Sequence, residues 1–295
     1  MDFLETAHIG DSGVEYVTAN DGVKLAVRVA GGKNMRTPLL MLHGLQSHSG
    51  WFTQSQTFLA GLGFPVYAMD RRGSGLSEGP RGHCTSFREM LSDVRSVAEF
   101  ARARQQAKKV HVFGHCFGSI PATLFATAHP ELVASLLLAS SAIYVRIGLG
   151  FSRKLELAWS KAARREVQIP IPLKPEMFSD LEECVRFIRE DELRLRTATA
   201  SLYYEVRRAC QHIRSHWRQL TMPLFMASAG DDPICDTKAN ERFFWSLPAR
   251  HKLLVRYERS RHVIEFSQQR DELFRDLSWW LERFGDVGYA KSHAA

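Results

Sequence analysis

The segment from Val110 to Ser119 places one thiol where a reactive side chain is needed. An apolar strand pattern runs directly into Gly114-His115-Cys116-Phe117-Gly118, and a helical pattern follows. In such a sharp strand-to-helix turn the central residue is strained, and a larger residue two positions to either side would collide with neighbouring backbone. The pattern predicts that Cys116 projects from the turn as a covalent nucleophile, rather than packing as a small buried hydrophobe.

Four further motifs occur in the order found in a known family. They are His43-Gly44 with Gln46 to Gly50, the D-x-x-G-x-G-x-S-x-G turn from Asp70 to Gly79, the loop from Gly230 to Asp236, and Ser260 to Val263. Together with the cysteine turn, they resemble the α/β-hydrolase superfamily, and most closely its monoacylglycerol lipase and lysophospholipase-like branch. The chain departs from that family where Cys116 replaces serine and Ser119 replaces the second of two common glycines.

The resemblance implies an acid and a base for Cys116, in the family's order of nucleophile, acid and histidine. Asp232 takes the acid position because of its spacing to the aliphatic residue that follows, while Asp231 and Asp236 remain competing assignments. His262 takes the position of the base. In the implied mechanism His262 deprotonates the thiol, Asp232 holds the imidazole tautomer, and the thiolate attacks an acyl carbonyl.

The resemblance also implies an oxyanion hole made by the backbone amides of Leu45 and Phe117. Each such donor contributes about 3 kcal/mol to stabilising the developing oxyanion in a dry site. His43 is expected to shape this loop, and His115 to pack beside the thiol. A helix N-terminus and a nearby imidazolium should lower the pKa of Cys116, which predicts a resting thiolate.

The implied activity is hydrolysis of a carboxylic ester or thioester with an apolar acyl group, of the monoacylglycerol or lysophospholipid kind. A thioester intermediate is more readily intercepted by thiols and amines than an oxygen ester is, so acyl transfer is an alternative. A binding protein on a hydrolase scaffold is a third hypothesis. The expected partner is a small acyl substrate, either a lipid or an acyl thioester. Neither a Walker-type phosphate loop nor a dinucleotide fingerprint is present, so no cofactor is implied.

The elements that must position these residues alternate between strands and helices. Strand patterns occupy Val14 to Thr18, Val23 to Val29, Pro38 to Leu42, Phe64 to Met69, Lys109 to Phe113, Leu132 to Ala139, Pro223 to Ala227 and Lys252 to Tyr257. Asn20-Asp21-Gly22 predicts a hairpin between the first two. Helical patterns follow the later strands, including one starting at Cys116 and a closing one from Ser267 to Phe284. This alternation predicts an α/β fold with a mostly parallel central sheet.

Residues 143–217 interrupt the alternation and predict a helical cap inserted over one end of the sheet. An Ile169-Pro170-Ile171-Pro172 loop is expected between its helices. The α/β-hydrolase core then comprises residues 1–142 and 218–285, and residues 286–295 form a frayed tail. The cap aromatics either line an acyl tunnel or pack as core, and packing is favoured for any one of them; they are Trp159, Phe187, Tyr203 and Tyr204.

Composition narrows the functional classes further. The 295 residues are 45% hydrophobic and 24% charged, which allows a large core and excludes disorder. The net charge of +7 is spread among interleaved acids, so nucleic-acid binding is not expected. A weak membrane-surface contact through basic cap residues is an alternative to a solvated face, which is favoured. The sequence leaves the oligomeric state open.

Two features bear on the cell compartment and on metals. Acidic residues in Met1 to Glu5 do not fit a secretory signal, and the apolar run from Leu132 to Val145 falls short of the ~20 residues that span a bilayer. A cytoplasmic protein is therefore expected. The five cysteines are widely spaced and form no C-x-x-C pair, so no disulfide framework and no metal site is expected. Four of them are predicted to be inert buried side chains: Cys84, Cys184, Cys210 and Cys235.

Overall fold

A computed structural model of the chain describes residues 13–32, 36–163 and 165–285. The acidic start from Met1 to Glu5 and the predicted frayed tail 286–295 lie outside the described residues. Within the described ranges, no helix combines the length and the apolar character needed to cross a membrane. The cytoplasmic location stays a prediction.

One eight-stranded sheet has the strand order β1-β2-β4-β3-β5-β6-β9-β10. Its strands are β1 Gly13–Thr18, β2 Lys24–Ala30, β3 Leu39–Leu42, β4 Val66–Met69, β5 Val110–His115, β6 Val133–Ala139, β9 Leu224–Ala229 and β10 Lys252–Tyr257. β2 pairs antiparallel with β1 and β4, and the remaining neighbours pair in parallel. The predicted mostly parallel sheet is confirmed, since each predicted strand overlaps an observed one.

Helices cover both faces of the sheet because its central strands are apolar on both sides. The α-helices are α1 Thr53–Gly61, α2 Phe87–Gln105, α3 Ser119–Ala128, α4 Phe151–Ala163, α5 Glu182–Glu190, α6 Ala200–His216, α7 Thr237–Ser246 and α8 Arg270–Phe284. Along β3, Leu39 and Met41 pack in one cluster with α1 and α8, while Leu40 and Leu42 pack in another with α2, α3 and α7. Because β5, β9 and β10 run parallel in one sheet, their carboxyl ends lie at the same edge of it.

The stretch between β6 and β9 contains α4, α5 and α6, and also a second sheet that the sequence analysis missed. Strands β7 Gln168–Pro170 and β8 Thr197–Thr199 pair antiparallel. The prediction of a loop over residues 169–172 was therefore wrong at its start. Ile169 is fully buried and pairs with Ala198, and this partner is too distant along the chain for a local pattern to reveal. The division into core and cap at residues 143 and 217 stays a prediction.

Two predicted helix starts differ from the observed ones. The helix expected from Cys116 opens with a 3₁₀ turn at Cys116–Gly118 before α3 begins. The closing helix begins at Arg270 instead of Ser267, because Ser267 accepts a hydrogen bond from the Gln269 amide (3.1 Å) and donates to the Ile264 carbonyl (2.8 Å). Short side chains of this kind compete with the helix for backbone groups.

Candidate active site

The turn after β5 holds Cys116 in a conformation that side-chain-bearing residues rarely adopt. Its φ is +51°, in the left-handed region. A Cβ on Gly114 would lie 2.5 Å from the Gly118 carbonyl oxygen, and a Cβ on Gly118 would lie 2.1 Å from that of Leu42. Only glycine fits at these two positions, so the turn brings α3 close to β3 and projects the thiol at the edge of the sheet.

An acid and a histidine meet at the same edge. His262, on the loop after β10, places Nδ1 2.9 Å from each carboxylate oxygen of Asp232, on the loop after β9. The amides of Ile234 and Cys235 both donate to Asp232 Oδ1 at 2.9 Å. Both Asp232 and His262 are buried. Because the carboxylate accepts at Nδ1, the proton on that nitrogen fixes the tautomer and aims Nε2 away from Asp232.

The two competing candidates for the acid, Asp231 and Asp236, make other contacts. Asp231 is exposed and lies 3.6 Å from Arg261 Nε. Asp236 caps α7 by accepting from the Ala239 amide at 3.0 Å. Of the three aspartates, Asp232 is the one hydrogen-bonded to His262 among the described residues.

A second thiol lies beside Cys116. The Sγ atoms of Cys116 and Cys235 and a ring nitrogen of His262 all lie within 4.8 Å of one another, and all three residues are buried. The thiol hydrogen of Cys235 has two acceptors in reach, the Ser140 carbonyl oxygen at 3.2 Å and the sulfur of Cys116. The sequence analysis predicted that Cys235 is an inert buried side chain and did not anticipate that it lies beside Cys116 and His262. The one feature of the sequence that pointed to the site was the position of Cys235 three residues after Asp232.

The electrostatics of the site favour a thiolate beside an imidazolium. The hydrogen bond from Cys235 and the positive charge of His262 hold the pKa of Cys116 well below its usual range, although burial opposes this. Burial also disfavours a charged His262, but Asp232 and the Cys116 thiolate raise the pKa of His262 to about 10. The Asp232 carboxyl, despite its burial, keeps a lowered pKa because of the His262 charge and hydrogen bond and two backbone amides.

The other two buried histidines near the thiol are held neutral. Burial, reinforced by the nearby His262, lowers the pKa of His115 to about 4, and its Nε2 lies 3.3 Å from the His262 carbonyl oxygen. Burial and the Arg71 charge lower the pKa of His43 to about 3. Nδ1 of His43 donates to the Gly44 carbonyl (2.7 Å) and Nε2 accepts from the Arg71 amide (2.9 Å). His43 thus shapes the loop after β3, and His115 packs.

Arg71 braces this loop, a role that the sequence analysis did not assign. Its guanidinium donates to the carbonyls of Gly44 (3.4 Å) and Leu45 (3.3 Å) and lies 4.5 Å from the Phe117 ring centroid. The side chain is buried, and that burial lowers the pKa of Arg71 to about 10. A Cβ on Gly44 would contact that of Cys116 at 3.4 Å, so the loop lies against the thiol. The only feature of the sequence that pointed to this role was the position of Arg71 in the turn from Asp70 to Gly79, which follows β4.

The predicted oxyanion donors lie on the two segments that Arg71 joins. The Phe117 amide is in the first turn of its 3₁₀ helix, where an N–H has no partner within the helix. Among the described residues, neither the Leu45 amide nor the Phe117 amide donates a hydrogen bond. Both residues line the same cavity as Cys116. The catalytic assignments of Cys116, Asp232 and His262 and of these two amides stay predictions at this point.

A mainly apolar cavity of about 550 Å³ opens onto Cys116. Residues from α6 and from the segment after β6 form much of its wall, notably Ile143, Leu202, Tyr203, Val206 and Cys210. A larger cavity of about 770 Å³, lined mostly by polar groups such as Arg165 and Glu166, does not reach Cys116. The smaller cavity is therefore the one that can present a substrate to the thiol.

The four cap aromatics divide between the two predicted roles. Tyr203 lines the cavity, and its buried hydroxyl has no hydrogen-bond partner among the described residues. Phe187 packs edge-on against Trp51 at a centroid distance of 6.2 Å. Trp159 is half exposed, and Tyr204 donates to the Leu157 carbonyl at 2.7 Å. One of the four thus contributes to a cavity that meets Cys116.

Known proteins are similar to this chain over most of its length. The family model for serine aminopeptidase, S33, matches residues 33–269. Human monoglyceride lipase is 22% identical over 254 residues, which cover 83% of this chain and 82% of the human protein. An abhydrolase domain-containing protein of Dictyostelium discoideum is 25% identical over 253 residues, 82% of this chain, and the match spans 26% of that longer relative.

A solved structure agrees with the fold described above. The monoacylglycerol lipase of Paleococcus ferrophilus has a TM-score of 0.78 and 23% sequence identity, over 88% of this chain and 99% of that one. The predicted fold class, the predicted family resemblance and the prediction of an enzyme of the hydrolase class are confirmed. The chain belongs to the serine aminopeptidase S33 family of α/β-hydrolases, in its monoacylglycerol lipase-like branch.

Proposed function

We propose that this chain hydrolyses carboxylic esters or thioesters with an apolar acyl group through a covalent acyl-enzyme on Cys116. The observation that carries this proposal is the position of the Cys116 thiol, on a strained turn that opens into an apolar cavity, close to a histidine whose other face is held by Asp232. The similarity to human monoglyceride lipase supports an ester of the monoacylglycerol or lysophospholipid kind.

The mechanism follows from the resting charges. The Cys116 thiolate attacks the acyl carbonyl carbon, and the amides of Leu45 and Phe117 stabilise the oxyanion that forms. His262, already protonated, gives its Nε2 proton to the leaving oxygen or sulfur, which leaves a thioester on Cys116. Neutral His262 then takes a proton from an attacking water, and collapse of the second oxyanion releases the carboxylic acid. Asp232 holds the ring in place and stabilises its charge in both steps.

The cavity wall indicates how a substrate lies. Aliphatic side chains next to Cys116 suit an acyl chain, whereas Arg207 and Gln211 supply polar groups for a headgroup.

Acylation of the thiol tests this function directly. Intact-mass analysis after incubation with a p-nitrophenyl ester of a medium-chain fatty acid should show one acyl adduct, located by peptide mapping on Cys116. The adduct should decay with release of the free acid. A protein that forms no adduct and shows no iodoacetamide-sensitive turnover of esters or acyl-CoA would instead be a binding protein on a hydrolase scaffold.

The rate of alkylation at Cys116 should depend little on pH between 6.5 and 8.5. A free thiol with a pKa near ~8.5 gains about 50-fold in thiolate over that range. Cys116 should change less than about threefold, because a thiol with a lowered pKa is already ionised at the acidic end. Iodoacetamide labelling quantified by mass spectrometry measures this, with glutathione as the free-thiol control. A 50-fold rise at Cys116 would contradict the thiolate–imidazolium pair.

Acyl transfer is the second candidate, favoured by the sulfur of Cys116. A thioester intermediate reacts with amines and thiols more readily than an oxygen ester does. Adding glycerol or a primary amine to the assay separates the two activities. Free acid as the main product supports hydrolysis, and an acylated acceptor formed in proportion to acceptor concentration supports transfer.

A further inference from the structure

Two thiols and an imidazole converge behind the point where Cys116 lines the cavity, and the hydrolytic mechanism uses only one of the thiols. Cys116, Cys235 and His262 come from the loops after β5, β9 and β10, so their proximity is created by the sheet order. Their donor atoms all lie within 4.8 Å of one another, and each residue is at most 4% exposed. Cys210, another buried thiol of the same cavity, is not part of this cluster.

We propose that Cys116, Cys235 and His262 form a binding site for Zn²⁺. Two thiolates and one imidazole are a donor set that this ion prefers in proteins. Tetrahedral Zn²⁺, with Zn–S near ~2.3 Å and Zn–N near ~2.0 Å, holds such donors about 3.5–3.8 Å apart. The donor atoms lie within 4.8 Å of one another, so a contraction of at most about 1.3 Å brings them to this spacing.

The surroundings of His262 suit a metal ligand. Asp232 accepts from Nδ1, which leaves Nε2 on the side of the Cys116 sulfur. A carboxylate on one ring nitrogen with the metal on the other is the usual arrangement around zinc-bound histidine, because it fixes the tautomer and strengthens the ligand. Asp232 would thus orient His262 for the ion in the same way as it orients the imidazolium.

Charge and protons balance in the bound state. Cys235 releases its thiol proton to solvent, and the Cys116–His262 pair releases the one proton that its two members share. Two Zn–S bonds and one Zn–N bond then form, and two thiolates neutralise the divalent ion. Three protein donors leave one of the four tetrahedral positions for a solvent molecule or a small ligand, and the cavity lined by Cys116 is the route by which it can enter.

Zinc binding and acylation of Cys116 exclude each other, because both need the Cys116 sulfur and the His262 Nε2. We therefore expect bound zinc to inhibit ester hydrolysis. This inhibition rests on the function proposed above, whereas the binding itself does not. Binding is therefore measured without turnover: the full chain, kept reduced with a phosphine, is titrated with Cd²⁺ as a spectroscopic substitute and followed by thiolate-to-metal charge-transfer absorbance. Zn²⁺ then competes for the same site, and native mass spectrometry counts the ions.

One ion per chain is expected, with binding at least tenfold weaker in Cys235→Ala and in Cys116→Ala. Cys210→Ala is the matched control, since it removes a buried thiol of the same cavity that lies outside the cluster, and its binding should be unchanged. Circular dichroism shows that each variant is folded. Equal affinity in wild type and Cys235→Ala would overturn the proposal, and so would a wild-type chain that binds no ion. Loss of two free thiols reversed by reductant but not by chelator would show a disulfide pair instead of a metal site.

Discussion

Replacing Cys116 by alanine is expected to lower kcat on a p-nitrophenyl ester by roughly 10⁵-fold or more, the scale seen when an activated nucleophile is removed. The variant keeps the cavity and the oxyanion amides, so KM should change far less than kcat. Initial rates at saturating and limiting ester concentrations separate the two constants. The acyl adduct expected for the wild-type protein in intact-mass analysis should be absent from this variant.

Two comparison variants make that result specific. Cys184→Ala removes a fully buried thiol in α5, away from the cavity, and should keep near wild-type kcat. Cys116→Ser keeps a nucleophilic atom but loses the low-pKa thiol, so intermediate activity is expected. A Cys116→Ala protein that keeps more than a tenth of the wild-type kcat would show that another residue forms the acyl-enzyme.

Replacing Gly118 by alanine is expected to destabilise the fold by more than about 4 kcal/mol, or to prevent folding altogether. The new methyl group would lie 2.1 Å from the Leu42 carbonyl oxygen and 2.6 Å from its carbon. These are backbone atoms of β3, which pairs with both β4 and β5, so they cannot shift without disturbing the sheet. Urea unfolding followed by circular dichroism measures the loss.

Gly61→Ala is the matched control for this prediction. Gly61 ends α1, and a Cβ there meets nothing within 4 Å. Alanine should be neutral or stabilise the protein by up to about 1 kcal/mol, because it favours helix over glycine. If Gly118→Ala were as stable as Gly61→Ala, the close approach of α3 to β3 would be wrong and the turn would not need its glycines.

The location of the strained turn at Cys116 was predictable because glycines flank it at a fixed spacing along the chain. The need for Gly114 is local, since a Cβ there would meet the Gly118 carbonyl oxygen, whereas the need for Gly118 comes from Leu42 in the neighbouring strand β3. Strand positions were predictable for a similar reason: apolar residues facing both helical layers give short continuous apolar runs, as in Leu39–Leu42. The family motifs added the order of the loops.

Contacts between residues far apart in the sequence could be identified only from the tertiary structure. Asp231, Asp232 and Asp236 are all acids on one loop, and the path of the backbone after β9 decided that Asp232 faces His262. Cys235 looked like an ordinary buried thiol until the sheet order placed it beside Cys116.

By itself, the sequence determined the type of fold, the position of the strained turn at Cys116 and the candidate loops, because side-chain size and backbone strain act over a few residues. Tertiary structure alone decided which acid, which second thiol and which arginine surround the sulfur. Those contacts depend on strands far apart in sequence lying side by side, and a local pattern carries no information about the distance between such strands. Arg71 and Cys235 are the two residues whose roles became visible only in this way.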